Sequence, residues 1–443
     1  MKLIKSFYLS PLFFLLVAAT ILLFIISYLV PQILIISKLV LLSIVVFTIF
    51  DVIILYANRQ GIYAYRESPN RLSNGDDNEI KIFLTNSYSF GVNVIIIDEL
   101  PFELQIRDNS FSSVLKPGIT KVISYLLRPV KRGEYNFGNI NVYVSSRIGF
   151  VKRRYRFEGE KIIPVYPSYV QMRKYELMAI SDRLTEAGIK KVRRVGHSME
   201  FEQIKEYVKG DDYRTINWKA TARKNHLMVN HFEDEKSQQV YSVIDTGRIM
   251  KMPFEGMSLL DYAINASLVI SNIAIYKQDK AGIITFSKNV GNLLPADRQA
   301  IQMNKILEIL YRQKTDFPES DFETLASIIF NKISHRSLIL LFTNFETLNA
   351  LERQIQFIRK LAQRHLVVVI FFINTQLYEL LDEPAENVEQ IYHKTIAEKF
   401  AYEKRLIVKE LARYSIHSIL TTPQNLSVNT INKYLELKAR RLI

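Results

Sequence analysis

The first 57 residues constrain this chain most, because they contain two apolar runs long enough to cross a membrane. The run from Leu9 to Val30 has no charged residue, and the run from Ile33 to Ala57 is interrupted only by Lys38 and Asp51. About 20 apolar residues suffice to span a bilayer as an α-helix. The sequence therefore predicts a hairpin of two transmembrane helices over residues 1–60.

The flanking charges predict the orientation of this hairpin. A secretory signal is excluded, because its apolar core would end at a small-residue cleavage site and here apolarity continues past "VAAT". Lys2 and Lys5 precede the first run, and Arg59, Arg66 and Arg71 follow the second. Basic residues favour the cytoplasmic side, so both ends and all that follows are expected in the cytoplasm.

The two ionisable residues of the second run have two interpretations. An ionisable side chain within a bilayer often marks a transport site. Lys38 and Asp51 each lie within two turns of a predicted helix end. We therefore expect their side chains to snorkel to the membrane surface instead.

Composition excludes several classes of chemistry. The chain has no cysteine, which removes disulfides, thiolate catalysis and cysteine zinc sites. Its net charge of +14 suits nucleic acid, anionic lipid or an acidic protein. The basic runs "VKRRYR" and "KKVRRV" alternate with strand-like apolar residues and form no cationic helix or stacking platform. Nucleic acid is therefore not an expected partner, whereas the lipid bilayer is.

Residues 61–167 read as an antiparallel β-sandwich. The runs "IKIFLTN", "VNVIIID", "KVISYLLRP", "INVYVSS" and "IIPVYP" are short and rich in β-formers. Turn signals such as "SNGDDN" and "KPG" separate them. No catalytic cluster is apparent in this region.

Residues 236–443 read as a doubly wound α/β domain. The apolar strand runs "VYSVID", "AGIITF", "SLILLFTN", "LVVVIFFIN" and "HSILTT" alternate with stretches of helical spacing. This alternation predicts a mostly parallel sheet covered on both faces. The intervening residues 168–235 are expected to pack on this domain.

The stretch "MEFEQIKEYVKGDDYRTINWKATAR" at 199–223 holds the sole tryptophan and admits a catalytic and a structural interpretation. In the catalytic one, Asp211, Asp212 and Glu233 bind a divalent cation and the chain is a metal-dependent hydrolase or nuclease. In the structural one, which we favour, arginines pair with these carboxylates. The aspartates then cap a helix on which Trp218 is half-buried.

The same stretch, followed by "LMVNHFEDE", closely resembles the signature of the domain of unknown function 58 family of bacterial proteins. The segment "PVKRGEYNFGNINVYVSSRIGF" and the paired N-terminal spans also resemble that family. The matching positions, which we expect to be structural or partner-binding, are Glu200, Phe201, Lys205, Tyr207, Gly210, Asp211, Asp212, Arg214, Trp218, Lys219, Thr221 and Arg223. Lys205 stands where the family commonly has arginine, which would bind a carboxylate through two donors.

The resemblance implies a von Willebrand factor A-like α/β domain with a degenerate metal-ion-dependent adhesion site. A working site reads D-x-S-x-S after the first strand, but here Gly247 and Ile249 follow Asp245 in place of the serines. Asn344 stands where an aspartate is expected, and Thr324 matches the site's threonine only loosely. Weak Mg²⁺ binding through Asp245, Thr246 and Asn344 stays open, but no cofactor is expected.

The resemblance also implies a biological setting. Such proteins are commonly encoded beside MoxR-type AAA+ ATPases and other von Willebrand A-like proteins, in systems suspected of assembling or maturing envelope complexes. The sequence therefore predicts a non-enzymatic scaffold or adaptor at the bacterial inner membrane. A purely structural envelope protein that needs no ATPase is a further alternative.

Overall fold

The structure is a computed structural model that describes residues 6–180, 199–208, 211, 213–234, 237–382, 384, 387–440 and 442. The chain divides into two compact units. We name Met1–Tyr166 the anchor unit and Pro167–Ile443 the α/β unit.

The anchor unit contains the predicted apolar hairpin. Helix α1 (Pro11–Leu29) and helix α2 (Ile33–Ala57) are each long and apolar enough to cross a membrane. Ser10 caps α1 by accepting a hydrogen bond from the backbone N–H of Phe13 at 3.3 Å. Both helices expose large apolar side chains along their length, as lipid-facing helices do. These two helices suggest a membrane anchor.

Eleven strands build the β-structure of the anchor unit among the described residues. They are β1 (Phe7–Leu9), β2 (Ile62–Glu67), β3 (Leu72–Ser73), β4 (Asn78–Asn86), β5 (Val92–Asp98), β6 (Ser110–Leu115), β7 (Thr120–Leu127), β8 (Gly133–Phe137), β9 (Ile140–Ser145), β10 (Val151–Phe157) and β11 (Lys161–Tyr166). The sheets run β1-β10-β9-β5-β6, β2-β4-β7 and β3-β11-β8. All pairs are antiparallel except β3 with β11, so the predicted antiparallel arrangement has one exception.

Strands on both sides of the hairpin tie it to this β-structure. β1 precedes α1 and pairs with β10, while β2 follows α2 and pairs with β4. Alternate residues of β4, β5 and β9 point into a common apolar core, in which Ile82, Ile96 and Val142 are fully buried. The hairpin and the sandwich are therefore one packed unit.

Asp51 of α2 does not snorkel, which corrects the expectation from sequence. The side chain is fully buried and accepts hydrogen bonds from the Ser146 hydroxyl and from the backbone N–H groups of Phe150 and Val151, both at 2.9 Å. A buried carboxylate is tolerated only when such donors satisfy it. Asp51 thus fixes the hairpin to the loop before β10, whereas Lys38 is exposed.

The basic run at 151–156 also has a structural role. Its residues form β10, and the Arg153 guanidinium donates to the carbonyls of Leu55 at 2.5 Å and Asn58 at 2.7 Å. These carbonyls lie at the end of α2, where the helix dipole favours a cation. Arg153 also lies 4.5 Å from the ring centroids of Tyr56 and Tyr155. This cation stabilises the end of the anchor helix.

The α/β unit alternates strands and helices after its first helix. Its helices are α3 (Tyr169–Ile180), α4 (Trp218–Lys224), α5 (Leu259–Tyr276), α6 (Ala300–Arg312), α7 (Phe322–Lys332), α8 (Leu348–Arg364), α9 (Thr375–Asp382), α10 (Val388–Arg413) and α11 (Leu426–Ala439). Its strands are β12 (Met199–Glu206), β13 (Met228–Asp234), β14 (Gln239–Asp245), β15 (Pro253–Phe254), β16 (Met257–Ser258), β17 (Lys280–Phe286), β18 (Val290–Asp297), β19 (Leu338–Phe342), β20 (Leu366–Phe372) and β21 (His417–Thr421).

A six-stranded sheet in the order β18-β17-β14-β19-β20-β21 forms the centre of this unit. Every pair is parallel except the edge pair of β17 with β18. Helices α3, α5, α6 and α11 contribute to the core on one face, and α7, α8 and α10 to the core on the other. Helix α5 is apolar enough to span a membrane by composition, but 78% of its most apolar window is buried here. It is the central core helix of a doubly wound fold.

Candidate functional site

The candidate site lies at the carboxyl ends of β14 and β19, the two central strands of the sheet. From β14 the chain continues to β17 on one side, and from β19 it continues to β20 and β21 on the other. Open α/β sheets bind ligands at such a switch in strand order. Asp245 ends β14, and Thr343 and Asn344 directly follow β19.

Asp245 is fully buried and is satisfied by neutral donors. Its Oδ1 accepts hydrogen bonds from the backbone N–H of Gly247 at 2.8 Å and from the Ser320 hydroxyl at 2.5 Å. Its Oδ2 accepts a hydrogen bond from the Thr343 hydroxyl at 2.8 Å. Burial raises the pKa of Asp245, while the bonds from Ser320, Gly247 and Thr343 oppose that rise.

The Ser320 hydroxyl fills the space that a side chain at position 247 would need. A Cβ atom on Gly247 would lie 1.9 Å from Ser320 Oγ and 2.9 Å from the Pro318 carbonyl oxygen. Both distances are far below van der Waals contact, so a serine at position 247 would displace Ser320. The loop before α7 thus supplies the hydroxyl that the β14 loop lacks.

Asn344, the second candidate ligand, is bound by a buried ammonium group. Lys404 of α10 is 5% exposed, and its Nζ donates to Asn344 Oδ1 at 2.8 Å. The same Nζ lies 3.5 Å from Glu346 Oε1, which also accepts a hydrogen bond from Asn344 Nδ2 at 2.5 Å. Burial lowers the pKa of Lys404, and Glu346 opposes that shift. The Lys404 ammonium therefore neutralises the charge of Glu346 within the protein.

The hydroxyl groups of the remaining candidates also donate hydrogen bonds to acceptors within this chain. Thr246 Oγ1 donates to the Phe286 carbonyl at 2.9 Å. Thr324 Oγ1 donates at 2.6 Å to Asp321, whose side chain caps α7. Neither hydroxyl shares a hydrogen bond with Asp245.

These residues do not fit a divalent cation. Mg²⁺ requires several oxygen ligands that converge in near-octahedral geometry. Here the Asp245 oxygens accept three bonds, the Thr246 hydroxyl is engaged elsewhere, and the Asn344 oxygen faces the Lys404 ammonium. Within the described ranges no three His, Cys, Asp or Glu side chains cluster as a metal site would require.

An open crevice adjoins this edge of the sheet. It has a volume of about 720 Å³ and is lined by Arg248, Ile249, Lys251, Met252, Pro253 and Glu346. A second pocket continues from Met252 and Glu346 towards Asn344 and Asn374 at the ends of β19 and β20. Lys404 pairs with Glu346, and the cations that line the crevice are Arg248 and Lys251, whose Nζ lies 5.8 Å from the centroid of the Phe317 ring.

We name the described part of residues 199–235 the family-like stretch. It forms a small sheet of its own, separate from the central sheet. β12 pairs with β13 in an antiparallel ribbon that has a register shift between Phe201 and Gln203. Beside it, α4 follows a bridge between Ile216 and Val229. The Tyr207 backbone N–H donates to the Leu227 carbonyl at 2.8 Å, directly after the last residue pair of the ribbon.

Lys205 and Asp211 close the turn after β12. Lys205 Nζ lies 3.2 Å from Asp211 Oδ1, and the backbone N–H of Val208 donates to Asp211 Oδ2 at 3.0 Å. The lysine thus binds one carboxylate oxygen where a two-donor arginine pair would bind both. Both Asp211 oxygens accept protein hydrogen bonds, which matches a structural role for this residue.

Helix α4 differs from the prediction in which residue caps it and in how far its tryptophan is exposed. Asn217 caps the helix by accepting a hydrogen bond from the Ala220 N–H at 3.0 Å, so the cap of α4 is not the predicted Asp211. The prediction that Trp218 is half-buried is wrong, since 70% of this residue is exposed. Lys219 and Arg223 are exposed beside it, while Thr221 accepts from the Met228 N–H at 3.0 Å.

The other members of the predicted set lie outside the described part of the chain. This holds for the whole of Gly210 and Asp212, and for the side chains of Glu200, Phe201, Arg214 and Glu233.

Three residues of the site were missed by the sequence reasoning. Ser320, Thr343 and Lys404 all contact the predicted strand-end residues. Thr343 directly precedes Asn344 and could have been found from its place in "LLFTNF". Ser320 and Lys404 gave no signal, because they are 75 and 60 residues away from the groups that they contact.

Solved structures give only distant likenesses. BatB from Bacteroides thetaiotaomicron is 13% identical, with a TM-score of 0.30 over 46% of this chain and 100% of that one. An aerotolerance-related membrane protein from Bacteroides fragilis is 11% identical, with a TM-score of 0.28 over the same shares. TM-scores this low support no assignment of fold or function.

Sequence comparisons give a firmer likeness. The uncharacterized protein YeaD from Bacillus subtilis (strain 168) is 26% identical over 209 residues, which are 43% of this chain. The chain spans about half of that relative, 51% of its length. The family described as "Protein of unknown function DUF58" matches residues 203–386, which include β14, most of the family-like stretch and every named residue of the candidate site except Lys404. Over these residues the chain is similar to that family.

Proposed function

We propose that this chain is a membrane-anchored, non-enzymatic scaffold or adaptor whose α/β unit binds a protein partner. The observation that carries the proposal is the environment of Asp245. Its carboxylate is buried and occupied by Gly247, Ser320 and Thr343, so no reactive group or open ligand position faces the crevice from it. A strand-end crevice without a free carboxylate suits binding better than catalysis.

The α/β unit, in this proposal, is a von Willebrand factor A-like domain with a degenerate metal site. Two features support the finer assignment. The parallel sheet has one antiparallel edge strand, and Asp245 and Asn344 follow the neighbouring strands β14 and β19. Its partner would be recognised without a bridging cation.

The chemistry of the crevice favours an acidic partner surface. Arg248 and Lys251 provide positive charge at the rim, and Ile249, Met252 and Pro253 provide apolar contact. Complementary charge steers association and fixes the register of an interface. The partner that we propose is a MoxR-type AAA+ ATPase, with other von Willebrand A-like proteins as further members of an envelope assembly system.

The location that we propose is the bacterial inner membrane, with α1 and α2 in the bilayer and the β-structure of the anchor unit and the α/β unit in the cytoplasm. The support is the pair of exposed apolar helices and the distribution of basic residues around them. An ATPase partner requires the cytoplasmic face, so evidence against this orientation would also be evidence against the ATPase partner.

The hydrolase alternative has less support. Asp211, its one ligand with a described side chain, accepts bonds from Lys205 and from the Val208 N–H. Carboxylates engaged in this way act as structural groups.

Co-purification from native membranes tests the adaptor proposal. We expect the tagged full chain, extracted in mild detergent, to retain an AAA+ ATPase. The R248E/K251E variant should lose it, while a matched K305E/R353E variant, which reverses exposed cations of α6 and α8, should keep it. Equal recovery of the ATPase with all three proteins, or with none, would count against the proposal.

A further inference from the structure

The outer face of α4 is an exposed surface of mixed apolar and basic character. Asn217 and Thr221 hydrogen-bond to the neighbouring strand β13, through Asn230 at 2.8 Å and Met228 at 3.0 Å, and so define the inner face. Trp218 is 70% exposed, and Lys219 and Arg223 are exposed as well. Residues four apart share one side of a helix, so Lys219 and Arg223 form a pair there.

Two exposed apolar side chains lie at the end of the β12–β13 ribbon. Val208 is 64% exposed and Leu227 is 45% exposed, and the bond from the Tyr207 N–H to the Leu227 carbonyl at 2.8 Å brings these two parts of the chain together. We name Val208, Trp218, Lys219, Arg223 and Leu227 the tryptophan surface. The exposed apolar surface of this tryptophan is unfavourable in free energy, and a second surface that covered it would remove that penalty.

We propose that the tryptophan surface binds an anionic lipid bilayer. An indole flanked by cations is the side-chain combination that resides at the headgroup level, because its ring is apolar and its N–H can remain hydrated. Lys219 and Arg223 would lie among anionic headgroups, with Val208 and Leu227 against the acyl boundary.

A bilayer is favoured over a protein as the occupant for two reasons. The anchor helices α1 and α2 bring a membrane to this chain, and the exposed cations Lys219 and Arg223 suit its anionic headgroups. Tethering also raises the effective concentration of lipid at the α/β unit, so a surface with only two cations suffices. This inference is independent of the adaptor proposal, which uses the crevice.

The test uses Trp218 as an intrinsic probe, because it is the sole tryptophan. The full chain is reconstituted into vesicles of phosphatidylcholine alone, or of equal parts phosphatidylcholine and phosphatidylglycerol. Brominated acyl chains quench a tryptophan that contacts lipid, and acrylamide quenches one that faces water. We expect blue-shifted emission and bromolipid quenching in the phosphatidylglycerol vesicles, both lost at high salt.

Matched variants identify the surface. K219Q/R223Q should weaken docking about 25-fold, since each cation near an anionic surface contributes about fivefold. K305Q/R353Q removes two exposed cations of α6 and α8 and should leave the signal unchanged. Water-like emission without bromolipid quenching in both vesicles would overturn the inference. So would a shift that occurs only when an acidic protein is added.

Discussion

A serine at position 247 should destabilise the protein, although it matches the D-x-S-x-S pattern that the family resemblance implies for this loop. The backbone of Gly247 has a φ of −83°, which serine adopts freely, so the penalty comes from packing. The new Cβ would lie 1.9 Å from Ser320 Oγ and 3.0 Å from Asp245 Oδ1. Ser320 must therefore move and lose its bond to the buried carboxylate.

The size of this effect follows from two contributions. Overpacking a well-packed interior costs about 1–3 kcal/mol. A hydrogen bond to a charged group contributes about 1.5–3 kcal/mol, part of which the new serine hydroxyl can recover. We expect G247S to lower the free energy of unfolding by about 2–4 kcal/mol. For the α/β unit, Pro167–Ile443, this corresponds to a decrease in melting temperature of roughly 4–16 °C.

A double-mutant cycle tests the cause. In G247S/S320G the serine at 247 occupies the space that Ser320 leaves, so the double variant should be at least about 1 kcal/mol more stable than the sum of the single changes predicts. Calorimetry of the four proteins in one detergent measures this. A neutral G247S, or strict additivity, would refute the argument that Ser320 fills the place of the missing side chain.

Three further substitutions test other contacts of the structure. Alanine at Arg66 should destabilise the anchor unit by about 3–5 kcal/mol, because it leaves the buried carboxylate of Asp98 uncompensated; calorimetry of R66A against R66A/D98L, which removes both charges, checks this. D321A should cost about 1 kcal/mol through the lost cap of α7. The Thr324 hydroxyl lowers the pKa of Asp321. The cap therefore contributes its full stabilisation above the ordinary aspartate pKa and loses it as the pH falls through the lowered pKa of the folded state. The melting temperatures of wild type and D321A should converge below that lowered pKa. D211A should cost about 1–3 kcal/mol by calorimetry and leave the Mg²⁺ and Mn²⁺ titration heats unchanged, whereas a loss of metal binding without destabilisation would favour the hydrolase alternative.

The elements that the sequence predicted are those whose apolar pattern is long. The hairpin, the strands β4, β5, β7 and β9, and the alternating α/β region have runs whose burial follows from their own residues. Strand β10 was not predicted, because "VKRRYRF" looks like a solvated basic run until Arg153 is seen to cap α2. The three-residue β1 depends entirely on pairing with β10, which no local pattern reports.

The candidate site likewise contains residues that the sequence predicted and residues that it did not. Asp245 and Asn344 were predicted because the family resemblance implies a von Willebrand factor A-like domain with ligand positions after its first and fourth strands. Lys404 was not, since it is one cation among many on the long helix α10 and its burial depends on tertiary packing. The exposure of Trp218 was mispredicted for a related reason, because amphipathic spacing gives the faces of a helix but not which face is covered.

Site-specific photo-cross-linking from the crevice tests the central proposal most directly. A photoreactive residue at Met252, which lines the crevice, is compared in intact membranes with one at Val388, which is 82% exposed at the start of α10. The proposal predicts a cross-link to an AAA+ ATPase from position 252, lost with R248E/K251E, and none from position 388. Absence of the cross-link from position 252 while the ATPase is present, or equal cross-linking from both positions, would contradict it.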